Sequence, residues 1–83
     1  MRILYFAWLK SVTGRSEEVV EPPSEVSDVR GLIAWLKARD EKVAEAFAEE
    51  SAIRVAVNQE YAQPTDPVAP GDEVAFFPPV TGG

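Results

Sequence analysis

"SDVRGLIAWLKARD", residues 27–40, holds the clearest periodic signal in the chain. Val29, Leu32, Ile33 and Leu36 fall at i, i+3, i+4 and i+7, so they share one face of an α-helix. Ser27 is placed to cap the first turn, and Asp28 sits where the positive end of the helix dipole favours a carboxylate. Gly31 lies inside the run and costs about 1 kcal/mol relative to alanine, so packing of the apolar face must hold this helix together. After Arg39 and Asp40 the phase slips, and Val43, Ala44 and Phe47 indicate a second, shorter helix.

Strand signals lie on both sides of this helical block. Before it, "RILYFA" (Arg2 to Ala7) is rich in β-favouring residues. Ile3, Tyr5 and Ala7 would face one side of that strand, and Leu4, Phe6 and Trp8 the other. "WLKSVTG" reads as a short helical turn that Gly14 ends in a left-handed conformation. Glu17 to Glu21 is a second strand, stopped by Pro22 and Pro23. After the helices, "AIRVAV" (Ala52 to Val57) is a third strand, Asn58 and Gln59 its turn, and "EYA" a short return. "PTDPVAPGDE" is turn-rich, with Gly71 and Asp72 in a tight turn. "EVAFF" (Glu73 to Phe77) is the last strand, and Pro78 ends it by withholding a ladder donor. The order is β-β-α-(α)-β-β-β. Strands at both ends with a helix between them imply an α+β domain: a mixed sheet of about five strands packed on one main helix, the β-grasp plan.

Composition narrows the chemistry. Eighty-three residues make one domain with one modest core, and 46% hydrophobic residues supply that core despite seven prolines. There is neither cysteine nor histidine, which removes disulfides, a thiol nucleophile, imidazole catalysis and most zinc or iron sites. The run "ILYFAWL" is too short to span a bilayer and lacks signal-peptide flanks, so a cytoplasmic location is expected. A net charge of -6 argues against nucleic acid or an anionic membrane as partner.

No side chain presents itself as a catalyst. The doublets Glu17-Glu18, Asp40-Glu41, Glu49-Glu50 and Asp72-Glu73 read as solvated faces or turns, because neighbouring residues point in different directions. Gly14 and Gly31 are isolated, so there is no phosphate-binding loop, and no histidine stands by to activate a serine or threonine. Two other features stand out. If Val74 and Phe76 face the helix, Ala75 and Phe77 face away from it; Phe6 and Tyr61 join them in an outward apolar patch suited to a partner. Beyond that patch the sequence closes on "PPVTGG". Pro78 and Pro79 favour an extended path, the last six residues reach roughly 20 Å when extended, and Gly82 and Gly83 can thread a passage too narrow for a Cβ atom.

"VNQ" at 57–59 and "GDEVAFFPPVTGG" at 71–83, with the opening "ILYFA", closely resemble the small subunits of molybdopterin synthase. That family comprises ubiquitin-like sulfur carriers of molybdenum cofactor biosynthesis. The resemblance spans the chain and implies a ubiquitin-like β-grasp domain over residues 1–77 and a flexible, extended tail over 78–83. It implies that the Gly83 carboxylate is adenylated with ATP by a ubiquitin-activating-like adenylyltransferase. A persulfide donor protein then replaces AMP with sulfur, and the resulting thiocarboxylate serves the large catalytic subunit in a heterotetramer. Carried over by residue, Gly83 bears the sulfur, Thr81 and Gly82 belong to the inserted tail, and Pro78, Pro79 and Val80 form its base. Phe6, Tyr61 and Phe77 map onto the apolar contact face. No cofactor or metal is expected on this chain, because the catalytic side chains belong to the partner. A sulfur carrier for thiazole or another pathway, a ubiquitin-like protein modifier and an inert interaction domain are the other readings.

Overall fold

The computed structural model describes residues 1–79. Its elements are β1 (Arg2–Tyr5), α1 (Trp8–Thr13), β2 (Glu17–Val19), α2 (Val29–Arg39), α3 (Glu41–Ala46), a 3-10 turn (Glu50–Ala52), β3 (Arg54–Val57), β4 (Glu60–Ala62) and β5 (Glu73–Phe77). The five strands form one sheet in the order β2-β1-β5-β3-β4. β1 and β5 run parallel at its centre, with Tyr5 opposite Phe76, and the other pairs are antiparallel. Two strands from opposite ends of the sequence thus become neighbours, joined by the helical crossover that parallel pairing requires.

One face of the sheet is closed. Ile3, Tyr5, Val55, Val74 and Phe76 pack against Leu9 of α1, Val29, Leu32 and Leu36 of α2, and Val43, Ala46 and Phe47 at α3. Tyr5, Phe47 and Phe76 form its aromatic centre. Phe47 meets Phe76 edge-on at 4.9 Å between ring centroids, and Tyr5 stacks on Phe76 at 6.3 Å. The Tyr5 hydroxyl escapes this apolar setting by donating to Glu18 Oε2 at 2.7 Å. Burial, followed by that carboxylate neighbour, pushes its pKa up.

Asp28, rather than Ser27, caps α2. Its carboxylate accepts from the Gly31 N–H at 2.7 Å, while the Asp66 and Pro64 carbonyls take the Val29 and Arg30 N–H groups. The first turn therefore leaves no donor of those three residues without a partner. The cap also accounts for the glycine: a Cβ at Gly31 would lie 3.0 Å from Asp28 Oδ1, pressing on the capping oxygen. The phase slip at Asp40 has a cause of the same kind. Asp40 leaves the helical conformation and caps α3, accepting from the Lys42 and Val43 N–H groups at 2.8 and 3.3 Å. It also pairs with Arg15 Nη2 at 2.7 Å, and this hydrogen bond, more than any other influence, holds its carboxyl below the usual range.

Three strands are shorter than the sequence suggests. β2 ends at Val19 rather than Glu21, because its partner β1 begins at Arg2, opposite Val19. β1 stops at Tyr5 because the chain turns sharply at Ala7, where φ is 54°. Ala7 is therefore exposed rather than facing the core with Ile3 and Tyr5. β3 begins at Arg54, since a 3-10 turn occupies Glu50–Ala52. The hairpin turn falls at Asn58 and Gln59, with φ of 50° and 69°, the paired positive values of a type I′ turn.

Candidate docking face and the base of the tail

The other face of the sheet has no helix packed on it among the described residues. Alternation places Arg2 and Leu4 of β1, Glu73, Ala75 and Phe77 of β5, Arg54 and Ala56 of β3, and Tyr61 of β4 on this side. β5 shows the split most sharply. Val74 and Phe76 are fully buried, while Glu73, Ala75 and Phe77 are half-buried.

Charged side chains gather at one end of this face, and Arg54, opposite Phe77, adds one at the other. At the end where β1 and β5 begin, Arg2 bridges Glu17 at 2.7 Å and Glu73 at 3.2 Å, forming an exposed ionic rim. Towards the opposite end lie Leu4, Ala75, Ala56 and Phe77. Tyr61 sits opposite Ala56, which in turn sits opposite Ala75. These small side chains leave space for the Tyr61 ring to lean towards Phe77, at 5.8 Å between centroids. Tyr61 is 78% exposed and Phe6 49% exposed, both unusual for aromatics of a small domain. Phe6 follows β1 directly, and its N–H donates to the Phe76 carbonyl at 3.1 Å, so the parallel register places it beside Phe77. Of the three expected contact residues, Tyr61 and Phe77 are thus in ring contact, and Phe6 flanks Phe77 in the backbone register.

The tail begins at the same end. Pro78 and Pro79 follow Phe77 and are half-buried. Pro79 borders a shallow cleft of about 400 Å³ together with Phe77, Tyr61, Arg54 and Gln63. Val80, Thr81, Gly82 and Gly83 lie outside the described residues. The start of β5 is held separately: Asn58 Nδ2 donates to Asp72 Oδ1 at 3.1 Å, and Asn58 Oδ1 accepts from the Glu73 N–H at 3.0 Å. Asn58, the centre of "VNQ", is therefore a clamp that aligns β5.

Two exposed apolar residues were not among the expected contacts. Trp8 is 40% exposed at the start of α1, and Val19 is exposed on the edge strand β2. Trp8 belongs to the same alternating set as Leu4 and Phe6, which was the signal available to find it. It follows a strained backbone. Ala7 has φ 54° and ψ −132°, and the Leu9 N–H donates to the Phe6 carbonyl oxygen at 3.1 Å. This is a type II′-like turn with alanine in the position that favours glycine, a conformation costing roughly 1–3 kcal/mol.

The groups with perturbed protonation are Arg2, Tyr5, Arg15 and Asp40, and each belongs to an ion pair or hydrogen bond of the scaffold. Among the described residues, no three of His, Cys, Asp and Glu come together as metal ligands. No helix among them is long and apolar enough to cross a membrane.

A five-stranded mixed sheet closed by helices on one face, and open beside an outgoing C-terminal segment on the other, defines a ubiquitin-like β-grasp protein. Solved structures agree. A putative molybdopterin converting factor subunit 1 from Pyrococcus furiosus superposes with a TM-score of 0.77 at 33% identity, covering 95% of each chain. Small archaeal modifier protein 1 of Haloferax volcanii does so with a TM-score of 0.77 at 27% identity, again covering 95% of each. The model of the ThiS family matches residues 3–83, and the chain belongs to that family. A curated relative, the molybdopterin synthase sulfur carrier subunit of Escherichia coli K12, is 35% identical over 83 residues, covering 100% of this chain and 99% of its own.

Proposed function

We propose that this protein is the sulfur carrier subunit of molybdopterin synthase, acting in the cytoplasm with the large catalytic subunit. The observation that supports this most directly is the coincidence of an uncovered apolar face with the exit of β5, in a chain matched end to end by the E. coli carrier. In this reading Phe6, Tyr61 and Phe77 dock the rigid domain, Pro78, Pro79 and Val80 lead outward, and Thr81 and Gly82 enter the partner. Gly83 carries the reacting carboxyl.

A carboxylate is a poor electrophile, because its charge is delocalised and oxide is a bad leaving group. An adenylyltransferase partner therefore spends ATP to convert Gly83 into an acyl-adenylate. The terminal sulfur of a donor protein's persulfide displaces AMP to form an acyl disulfide. A second thiol then cleaves that S–S bond, becoming oxidised to a disulfide and leaving a thiocarboxylate at Gly83. The sulfur then passes to a cyclic pyranopterin precursor within the large subunit, building the dithiolene. The carrier binds no cofactor itself. Ordering a tail costs roughly 1–2 kcal/mol per residue in backbone entropy. Docking the sheet face first makes insertion an intramolecular event, which offsets that cost.

Intact mass after incubation with the activating enzyme, ATP and a sulfur source tests the chemistry. The expected product has one oxygen exchanged for sulfur at Gly83, and deleting Gly83 abolishes loading while the fold persists. A truncated chain that still loads would overturn the mechanism. The likeness to a small archaeal modifier supports a second reading, in which Gly83 is joined to lysines of target proteins. A ladder of covalent adducts in cell extract, with no thiocarboxylate, would favour it.

A further inference from the structure

We propose that the docking face continues beyond the sheet onto α1, with Trp8 as a second aromatic anchor held by the strained Phe6–Ala7–Trp8 elbow. The occupant is the large catalytic subunit, meeting Trp8 with an apolar pocket next to the one that receives Phe6 and Phe77. The proposal rests on the sulfur-carrier reading for the identity of that partner. The elbow supplies the geometry.

Four observations converge there. Ala7 adopts a backbone conformation that favours glycine, although it is exposed and packs no side chain into the core. Such strain survives where the surrounding structure over-determines it, and it collects at ligand-binding positions. The residues on either side, Phe6 and Trp8, are two of the large apolar residues left exposed. The elbow is also rigidly seated. Leu9 is fully buried immediately after Trp8, the Thr13 hydroxyl donates to the Leu9 carbonyl at 2.9 Å, and Gly14 closes α1 in the left-handed conformation. Finally, Phe6 continues the β1 register beside Phe77, so the elbow adjoins the root of the tail. An aromatic held in place before binding loses little freedom on docking, and tryptophan is enriched among residues that dominate interface energies.

The experiment is a titration of the cognate large subunit with Trp8→Ala, Trp8→Phe, Phe77→Ala and Val19→Ala, alongside thermal melts of each variant. Trp8→Ala should weaken the complex by about tenfold or more, with Trp8→Phe recovering most of the loss. Val19→Ala removes a more exposed apolar side chain, on β2 opposite Arg2 at the other end of β1, and should leave affinity unchanged. In a Trp35→Phe background, Trp8 is the sole tryptophan, and its emission should shift to the blue on complex formation even if Trp8→Ala folds poorly. Trp8→Ala binding within about twofold of the parent, or an unshifted emission, overturns the proposal. If Phe77→Ala weakens the same complex, the sulfur-carrier reading survives that failure. If the parent chain does not bind the large subunit at all, both fall.

Discussion

Tyr5, Phe47 and Phe76 on one side of the sheet, and Phe6, Tyr61 and Phe77 on the other, are two aromatic triads of nearly the same composition with opposite fates. The inner three are buried, in mutual ring contact, and supplied with a single polar outlet at the Tyr5 hydroxyl. Of the outer three, Tyr61 and Phe77 touch, and Phe6 stands on the flank. Phe76 and Phe77 are chain neighbours, so neither composition nor local propensity separates them. Only the pleat of β5 does. Hydrophobic area removed from water within the chain stabilises the fold, and area left in water remains available to another molecule.

That contrast can be broken experimentally. Phe76→Ala should be the most damaging to the fold, at about 3–5 kcal/mol, a large share of the 5–15 kcal/mol typical of a domain. Urea unfolding would measure it, and a loss below about 1 kcal/mol would mean the inner triad is not the keystone. Phe77→Ala should shift the urea midpoint little while weakening the large-subunit complex by about tenfold. Unchanged affinity in a titration would remove Phe77 from the docking face. Asn58→Ala tests whether β5 alignment matters to both triads at once. The loss of two side-chain hydrogen bonds at an exposed site should cost about 1 kcal/mol, read in the same unfolding assay.

The smallest effect lies away from both triads. The Arg15 hydrogen bond lowers the Asp40 pKa from 3.8, so the folded state takes up that proton less readily than the unfolded chain. The resulting stabilisation is complete well above pH 3.8 and is lost as pH falls through the lowered folded value. Asp40→Asn should flatten the acid limb of a melting-temperature profile below that pH. An unaltered limb would show that the pair is too solvated to matter.

The sequence announced the inner face more clearly than the outer one. The apolar face of α2, the hairpin at Asn58 and Gln59, and the bounds of β5 all follow from periodicity or turn chemistry, and the structure bears them out. The two-residue shortening of β1 was hidden, because alanine gives no sign of a positive φ. The choice of Asp28 over Ser27 as cap was also illegible: both are good capping residues, and the loop at Pro64–Asp66 joins Asp28 in satisfying the first turn. Trp8 was passed over for a related reason. Its alternation with Phe6 was visible, but the elbow at Ala7 was not, since alanine carries no mark of a positive φ.

The central placement of β5 has a mechanical consequence. Pro78 follows the strand directly, and β5 is hydrogen-bonded to β1 on one side and β3 on the other. A pull on Pro78 along the strand would load both ladders in shear, with many bonds sharing the force, whereas a tail rooted on an edge strand could peel away bond by bond. A partner could therefore tug the tail into place, and withdraw from it afterwards, with the domain acting as a firm handle.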